Sequence, residues 1–235
     1  MSDPLGESDG LMNPHLTEIA YILDRSASMQ PMLEAAVAAF NDFIHSQLDV
    51  PGDARLTLVQ FDDAYEVPVA AKPLQDVPPL TAATYHPRGG TALLDAIGRT
   101  VQETDRRISD LPEDERPGKV ILAIFTDGEE NASRVYSARH ISDLIRLYRD
   151  QKGWEFLFLA ANQDAIASAA ALHMDTHLSG NVSFCMEGVK STGNAMARKV
   201  RAMRMKSGGT MDAQALEDDA KSMDQIVREE EGRQS

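Results

Sequence analysis

Three short segments carry oxygen-bearing side chains at spacings that suit one metal ion: Asp24-Arg-Ser26-Ala-Ser28, Gly89-Gly90-Thr91 and Thr126-Asp127-Gly128. Hydroxyls of Ser26, Ser28 and Thr91 can supply neutral oxygens. Asp24 and Asp127 can supply charge, either directly or by holding coordinated water. Mg²⁺ prefers octahedral oxygen ligands, keeps several waters and takes only one or two carboxylates, so Mg²⁺ or Mn²⁺ is expected before Ca²⁺. The alternate spacing of Asp24, Ser26 and Ser28 needs an irregular turn that folds these side chains over one point. Gly90 and Gly128 would let the backbone approach closely.

Each segment also has an ordinary role. Ser26 and Ser28 could cap a helix, Thr91 could cap the helix that follows it, and Asp127-Gly128 could be a plain turn. What favours coordination is position, because each segment follows a predicted strand or opens a predicted helix. Thr17–Asp24 reads as a strand ending at an aspartate, and Leu33, Val37, Phe40, Ile44 and Leu48 recur at helical spacing after it. Arg55–Phe61 and Glu66–Ala71 are strands joined too closely for a crossover, which predicts an antiparallel hairpin at a sheet edge. A helix beginning near Thr91 carries Leu94, Ile97 and Val101. Lys119–Phe125 is nearly all apolar, as a central parallel strand requires. A helix over 137–151, a strand Trp154–Ala160 and a short helix near 164–172 complete the alternation. Strands alternating with helices predict a doubly wound, mostly parallel α/β sheet, whose ligands gather outside the carboxyl ends of the strands.

The same five positions resemble the metal-ion-dependent adhesion site of von Willebrand factor A-type (VWA) and integrin I domains. They stand in that family's order, with Ala27 where many members have glycine. The resemblance covers about residues 17–180 and implies a Rossmann-like VWA fold. It further implies a Mg²⁺-occupied site at Asp24, Ser26, Ser28, Thr91 and Asp127. The last coordination position would be left for a carboxylate of a protein partner. Free-standing bacterial VWA proteins are similar to components that work beside AAA+ ATPases of the MoxR type, so such an ATPase or a second protomer is an expected partner. A homo-oligomeric structural subunit is the alternative. A Mg²⁺-dependent phosphohydrolase is disfavoured, because Ser26 stands where that chemistry needs a second carboxylate. No catalytic residue is expected.

Composition bounds the rest. The 235 residues hold one α/β domain with an extension, and 43% hydrophobic content supports a core. A formal charge of −14 argues against a nucleic-acid partner. One cysteine, Cys185, excludes an internal disulfide and is expected half-buried. No apolar stretch would span a bilayer and the polar, acidic start is no secretory signal, so a cytoplasmic setting is expected.

The expected organisation is a flexible leader over 1–16, the VWA domain over 17–180 and a C-terminal helical extension over 181–235. That extension reads as helices over 183–206 and 211–231. In the second, Leu216, Ala220, Met223 and Val227 form a narrow stripe that could pack on its own domain or dock on a neighbour. Asp62, Asp63, Glu129 and Glu130 read as solvated rim charges. Met29, Met32 and His86 could form an apolar lip or pack at the helix start, and His140, His173 and His177 read as structural.

Overall fold

Strand β1 (Asn13–Asp24) is buried without a break from Leu16 to Asp24, as a strand covered on both faces must be. The computed structural model describes residues 12–160, 169–181, 183 and 185–233. Around β1 lie β2 (Asp53–Phe61), β3 (Tyr65–Pro73), β4 (Pro117–Thr126), β5 (Glu155–Ala160) and β6 (Ser179–Asn181), in the order β3-β2-β1-β4-β5-β6. Only β3 is antiparallel; it leaves β2 through a three-residue link and forms an edge. The expected doubly wound sheet with one antiparallel edge strand is the fold observed.

Register sets the site. Asp24 pairs with Phe61 of β2, and Leu23 pairs with Phe125 of β4, so β1, β2 and β4 end at one level. Whatever follows these three strands must meet at the same edge of the sheet.

Alternation along the strands divides the core in two. Ile19, Tyr21 and Leu23 face α1 (Leu33–Leu48) and α4 (Met186–Ser207), where Tyr21 meets Phe40 and Phe43 edge-on with ring centroids 5.2 and 5.1 Å apart. Ala20 and Ile22 face α2 (Leu93–Ser109) and α3 (Ala138–Lys152), packing with Ile97, Val101, Ile141 and Ile145. Helices thus cover both faces.

Several boundaries differ from expectation. The expected leader falls mostly on residues 1–11, outside the described residues, but β1 already begins at Asn13, whose N–H donates to Arg116 O at 2.8 Å. Of the helix expected near 164–172, residues 161–168 lie outside the described residues and 169–171 are helical. The three-residue strand β6 was not expected; so short a run carries no readable alternation. The helix expected over 211–231 is two helices, α5 (Ala213–Ala220) and α6 (Met223–Arg233). The break is a capping box: Ser222 N–H donates to Gln225 Oε1 at 2.8 Å while Gln225 N–H donates back to Ser222 Oγ at 3.2 Å.

That break also moves the apolar stripe. Leu216 and Ala220 are exposed, whereas Met223, Ile226 and Val227 are buried in the same core as Ile19 and Tyr21. The terminal helix packs on its own domain. Neighbouring side chains of α4 hold it there. Arg198 pairs with Asp218, Glu229 and Glu230 at 2.5, 2.9 and 2.8 Å. Buried Lys199 donates to the carbonyls of Asp218, Asp219 and Lys221 at the end of α5. Residues Val189, Ala195, Met196 and Val200 of α4 share the core with Ile19, Tyr21 and Leu23 of β1. Cys185 is exposed rather than half-buried, and its sulfur caps α4 by accepting from Gly188 N–H. Among the described residues no helix is long and apolar enough to cross a membrane.

Candidate functional site

Asp24 is the last residue of β1 and is fully buried. Its Oδ1 accepts from Ser26 N–H and its Oδ2 from the Thr126 hydroxyl, both at 2.6 Å, while Tyr85 donates to its backbone carbonyl at 2.5 Å. These bonds fold the chain back immediately after the strand, which is the irregular turn the spacing requires. Burial raises the Asp24 carboxyl above the usual range, against the lowering effect of Thr126 and Ser26.

Ser26 precedes a short 3-10 turn, Ala27–Met32, but its side chain does not cap it. Instead Ser26 Oγ lies 2.9 Å from Ser28 Oγ and 3.5 Å from Asp127 Oδ1, and Ser28 Oγ donates to the same Asp127 oxygen at 2.9 Å. Burial pushes Asp127 up to about 6, opposed by the Ser28 hydrogen bond and reinforced by the Asp24 charge. The other Asp127 oxygen, Oδ2, is buried with no hydrogen-bond partner.

Thr91 is buried and does not cap α2 either; the residue before that helix is Ala92. Its N–H donates to Asn131 Oδ1 at 2.9 Å, and its carbonyl accepts from the N–H groups of Asn131 and Ala132. A Cβ built on Gly128 would lie 2.7 Å from Thr91 Oγ1 and 3.6 Å from Ser28 Oγ. So all five expected positions meet, and the absent side chain at Gly128 is what leaves room for them.

The rim is not what composition suggested. Asp62 is a buried acceptor for Arg25 and Arg88 rather than a solvated charge. Glu130 caps α2 from across the loop: its Oε2 accepts from Leu94 N–H at 2.9 Å, and its Oε1 holds Ala132 N–H and Ser133 N–H. Asp95 returns the tie by accepting from the N–H groups of Arg134, Val135 and Tyr136. Asp63 and Glu129 are exposed. Met29 and Met32 are buried and pack at the helix start, while His86 is exposed. His140 is exposed, and His173 Nδ1 lies 2.5 Å from Ser142 Oγ. Sequence reasoning missed Tyr85 and Asn131 as supports because nothing in their local spacing shows which strand end they reach, and it gave Arg25 and Thr126 no role because their partners, Asp62 and Asp24, lie on other segments.

Two desolvated carboxylates and three hydroxyls, with one buried carboxylate oxygen lacking a partner, form a donor set suited to a hard divalent cation. Among the described residues no group of three or more His, Cys, Asp or Glu side chains is placed to hold a metal. Any ion here would therefore rely on the hydroxyls.

Residues 19–129 match the family profile described as von Willebrand factor type A domain. No curated protein sequence matches the chain. Among solved structures the chain is similar to the pilus adhesin SpaC from Lactobacillus rhamnosus GG in its open conformation (TM-score 0.57, 12% identity, 82% of this chain and 30% of that one). It is also similar to proximal thread matrix protein 1 from the mussel byssus with a zinc-occupied MIDAS motif (TM-score 0.55, 15% identity, 82% and 47%). The ArnB paralog VWA2 from Sulfolobus acidocaldarius is a further neighbour (TM-score 0.52, 13% identity, 79% and 45%). The chain spans less than half the length of each, and at these identities the likeness is one of fold. With that profile lying across β1 to β4 of the doubly wound sheet, the chain has the fold of a von Willebrand factor type A domain.

Proposed function

We propose that Asp24, Ser26, Ser28, Thr91 and Asp127 form a metal-ion-dependent adhesion site that takes Mg²⁺ or Mn²⁺, and that the chain uses it to bind a carboxylate of a protein partner. The observation that carries this reading is the meeting of Asp127 with both serines while its Oδ2 stays buried and unpartnered. A buried carboxylate oxygen without a partner is costly, and a divalent cation is the ligand that would relieve it. The Asp24 oxygens already accept two protein hydrogen bonds, so its remaining lone pairs suit orienting coordinated water. Hydroxyl ligands hold the ion without neutralising it. A site of this kind gains from a further acid supplied from outside.

In this reading the domain is a subunit or adaptor of a larger assembly and is not an enzyme. The partner is a MoxR-type AAA+ ATPase or another protomer, and the single cysteine supports a cytoplasmic setting.

Calorimetric titration with Mn²⁺ tests the site. One binding event is expected, weakened about ten-fold or more by Ser26→Ala or Thr91→Ala. Unchanged affinity in both variants would refute the assignment. Asp24→Ala should abolish Mg²⁺-dependent capture of the partner while the fold, supplied by runs such as Val120–Phe125, still unfolds cooperatively.

A further inference from the structure

The loops that carry Ser26, Ser28 and Thr91 are joined by a ring of four charges. Arg25, between Asp24 and Ser26, is buried, and its Nε donates to Asp62 Oδ2 at 3.0 Å. Arg88, three residues before Thr91, donates from Nε to the same oxygen at 2.9 Å. Both guanidinium groups then reach Glu66 on β3, at 2.6 Å from Arg25 and 3.1 Å from Arg88. Two cations and two anions close a neutral circuit.

Backbone bonds run alongside it. Arg88 N–H donates to Arg25 O at 2.8 Å and Ala27 N–H to Gly89 O at 3.2 Å, pairing the first loop with the second. Arg25 N–H donates to Phe61 O at 2.8 Å, and Ala92 N–H, just past Thr91, donates to Asp62 O at 3.1 Å. Asp62 Oδ1 is held in turn by Ala64 N–H at 2.6 Å. The end of β2 is therefore the post to which both hydroxyl-bearing loops are tied, although it offers no group to the site itself.

We infer that Asp62 is a positioning residue, which through Arg25 and Arg88 sets the placement of Ser26, Ser28 and Thr91 for metal binding. The inference rests on the proposed metal site. A buried acid shared by two arginines fixes both guanidinium groups, because Arg offers its donors in a rigid planar fork. The shared oxygen, Asp62 Oδ2, accepts from both guanidinium groups at once. Arg88 is the better probe of the tie, since its side chain is 58% exposed and can be shortened without leaving a hole.

The test compares the natural chain with Asp62→Asn, Arg88→Gln, Thr91→Ala and Thr91→Ala/Arg88→Gln. Mn²⁺ affinity and, in metal-free protein, amide hydrogen exchange across residues 88–92 are measured. Asp62→Asn should weaken Mn²⁺ about ten-fold, the usual size for a group that orients metal ligands. Arg88→Gln should weaken it about three-fold, the size of an exposed ion pair, and should raise exchange at 88–92 while leaving β4 unchanged. Because Arg88 acts through the Thr91 segment, its effect should shrink to near nothing in the Thr91→Ala background. Arg88→Gln is expected to fold even if Asp62→Asn does not. Wild-type affinity and unaltered exchange in Arg88→Gln would overturn the inference, as would an undiminished loss in the Thr91→Ala background. Wild-type affinity in Thr91→Ala would instead overturn the metal-site reading on which the inference stands.

Discussion

Glu18 sits on β1 with its side chain wholly buried on the α2 face, where Arg107 reaches its Oε1 at 2.6 Å. Burial dominates and pushes its carboxyl up to about 7, against the charges of Arg107 and Arg55. A folded value above the unfolded one means that the proton is held more tightly in the folded chain. The resulting stabilisation is full below about 4.5 and is lost as pH rises through about 7. Glu18→Gln imitates the protonated side chain and leaves Arg107, 31% exposed, free to turn to water. Thermal melts should show little change at pH 5 and a gain at pH 8, on the order of 3 kcal/mol at most. Equal effects at both pH values would show that Glu18 does not titrate in this window. Such a residue is invisible in sequence, since an isolated Glu in an apolar strand looks like any other alternation. That the five positions would meet was legible because their types suit one chemistry and four of them, Asp24, Ser26, Ser28 and Asp127, stand at or just after the ends of strands that finish at one level. Asp62 and Glu130 were misread as rim charges because their partners, Arg25, Arg88 and Leu94 N–H, come from other loops and from the start of α2.

Helices α1 and α4 approach closely at Gly193. A Cβ there would stand 2.7 Å from Ala39 Cβ and 3.1 Å from Ala39 Cα. Glycine inside a helix ordinarily costs up to about 1 kcal/mol relative to alanine, so its presence in α4 reflects this approach. Gly193→Ala must force two packed helices apart and should destabilise by about 1–2 kcal/mol, the range for overpacking. Gly232 in α6 meets nothing within 4 Å, so Gly232→Ala should instead leave stability unchanged or raise it by a few tenths of a kcal/mol. Opposite signs in denaturant melts would support the packing argument; matching signs would count against it. Long elements were readable from their period, and the β2–β3 hairpin from the shortness of its link. The break between α5 and α6 was also written in the chain, as Ser222-Met-Asp-Gln225. It was overlooked because the apolar spacing from Leu216 to Val227 runs straight across it. Strand β6 had no such signal: its three residues are defined only by pairing with β5.

The C-terminal helices decide whether the chain is a domain with an appendage or one cooperative body. Met223, Ile226 and Val227 are buried to within 1% exposure in the core that holds Ile19, Tyr21 and Phe40. Burying a large aliphatic side chain is worth about 1.5–3 kcal/mol, although ordering two helices offsets part of that gain. Charges add direction to the docking. Removing α5 and α6 would strip Arg198 of three carboxylates and Lys199 of three carbonyl partners, turning a buried ammonium out to solvent. Truncation after Ser207 should therefore lower the melting temperature by roughly 10 °C, taking a net loss near 3 kcal/mol at about 2–4 °C for each kcal/mol. The full chain should unfold in a single transition followed equally by far-ultraviolet dichroism and by Trp154 fluorescence. Size-exclusion chromatography on the same pair separates this account from docking on a neighbour. If the helices served mainly to join subunits, the truncated protein would be a smaller assembly with its melting temperature preserved. Self-packing requires the reverse: an unchanged assembly state and a less stable fold.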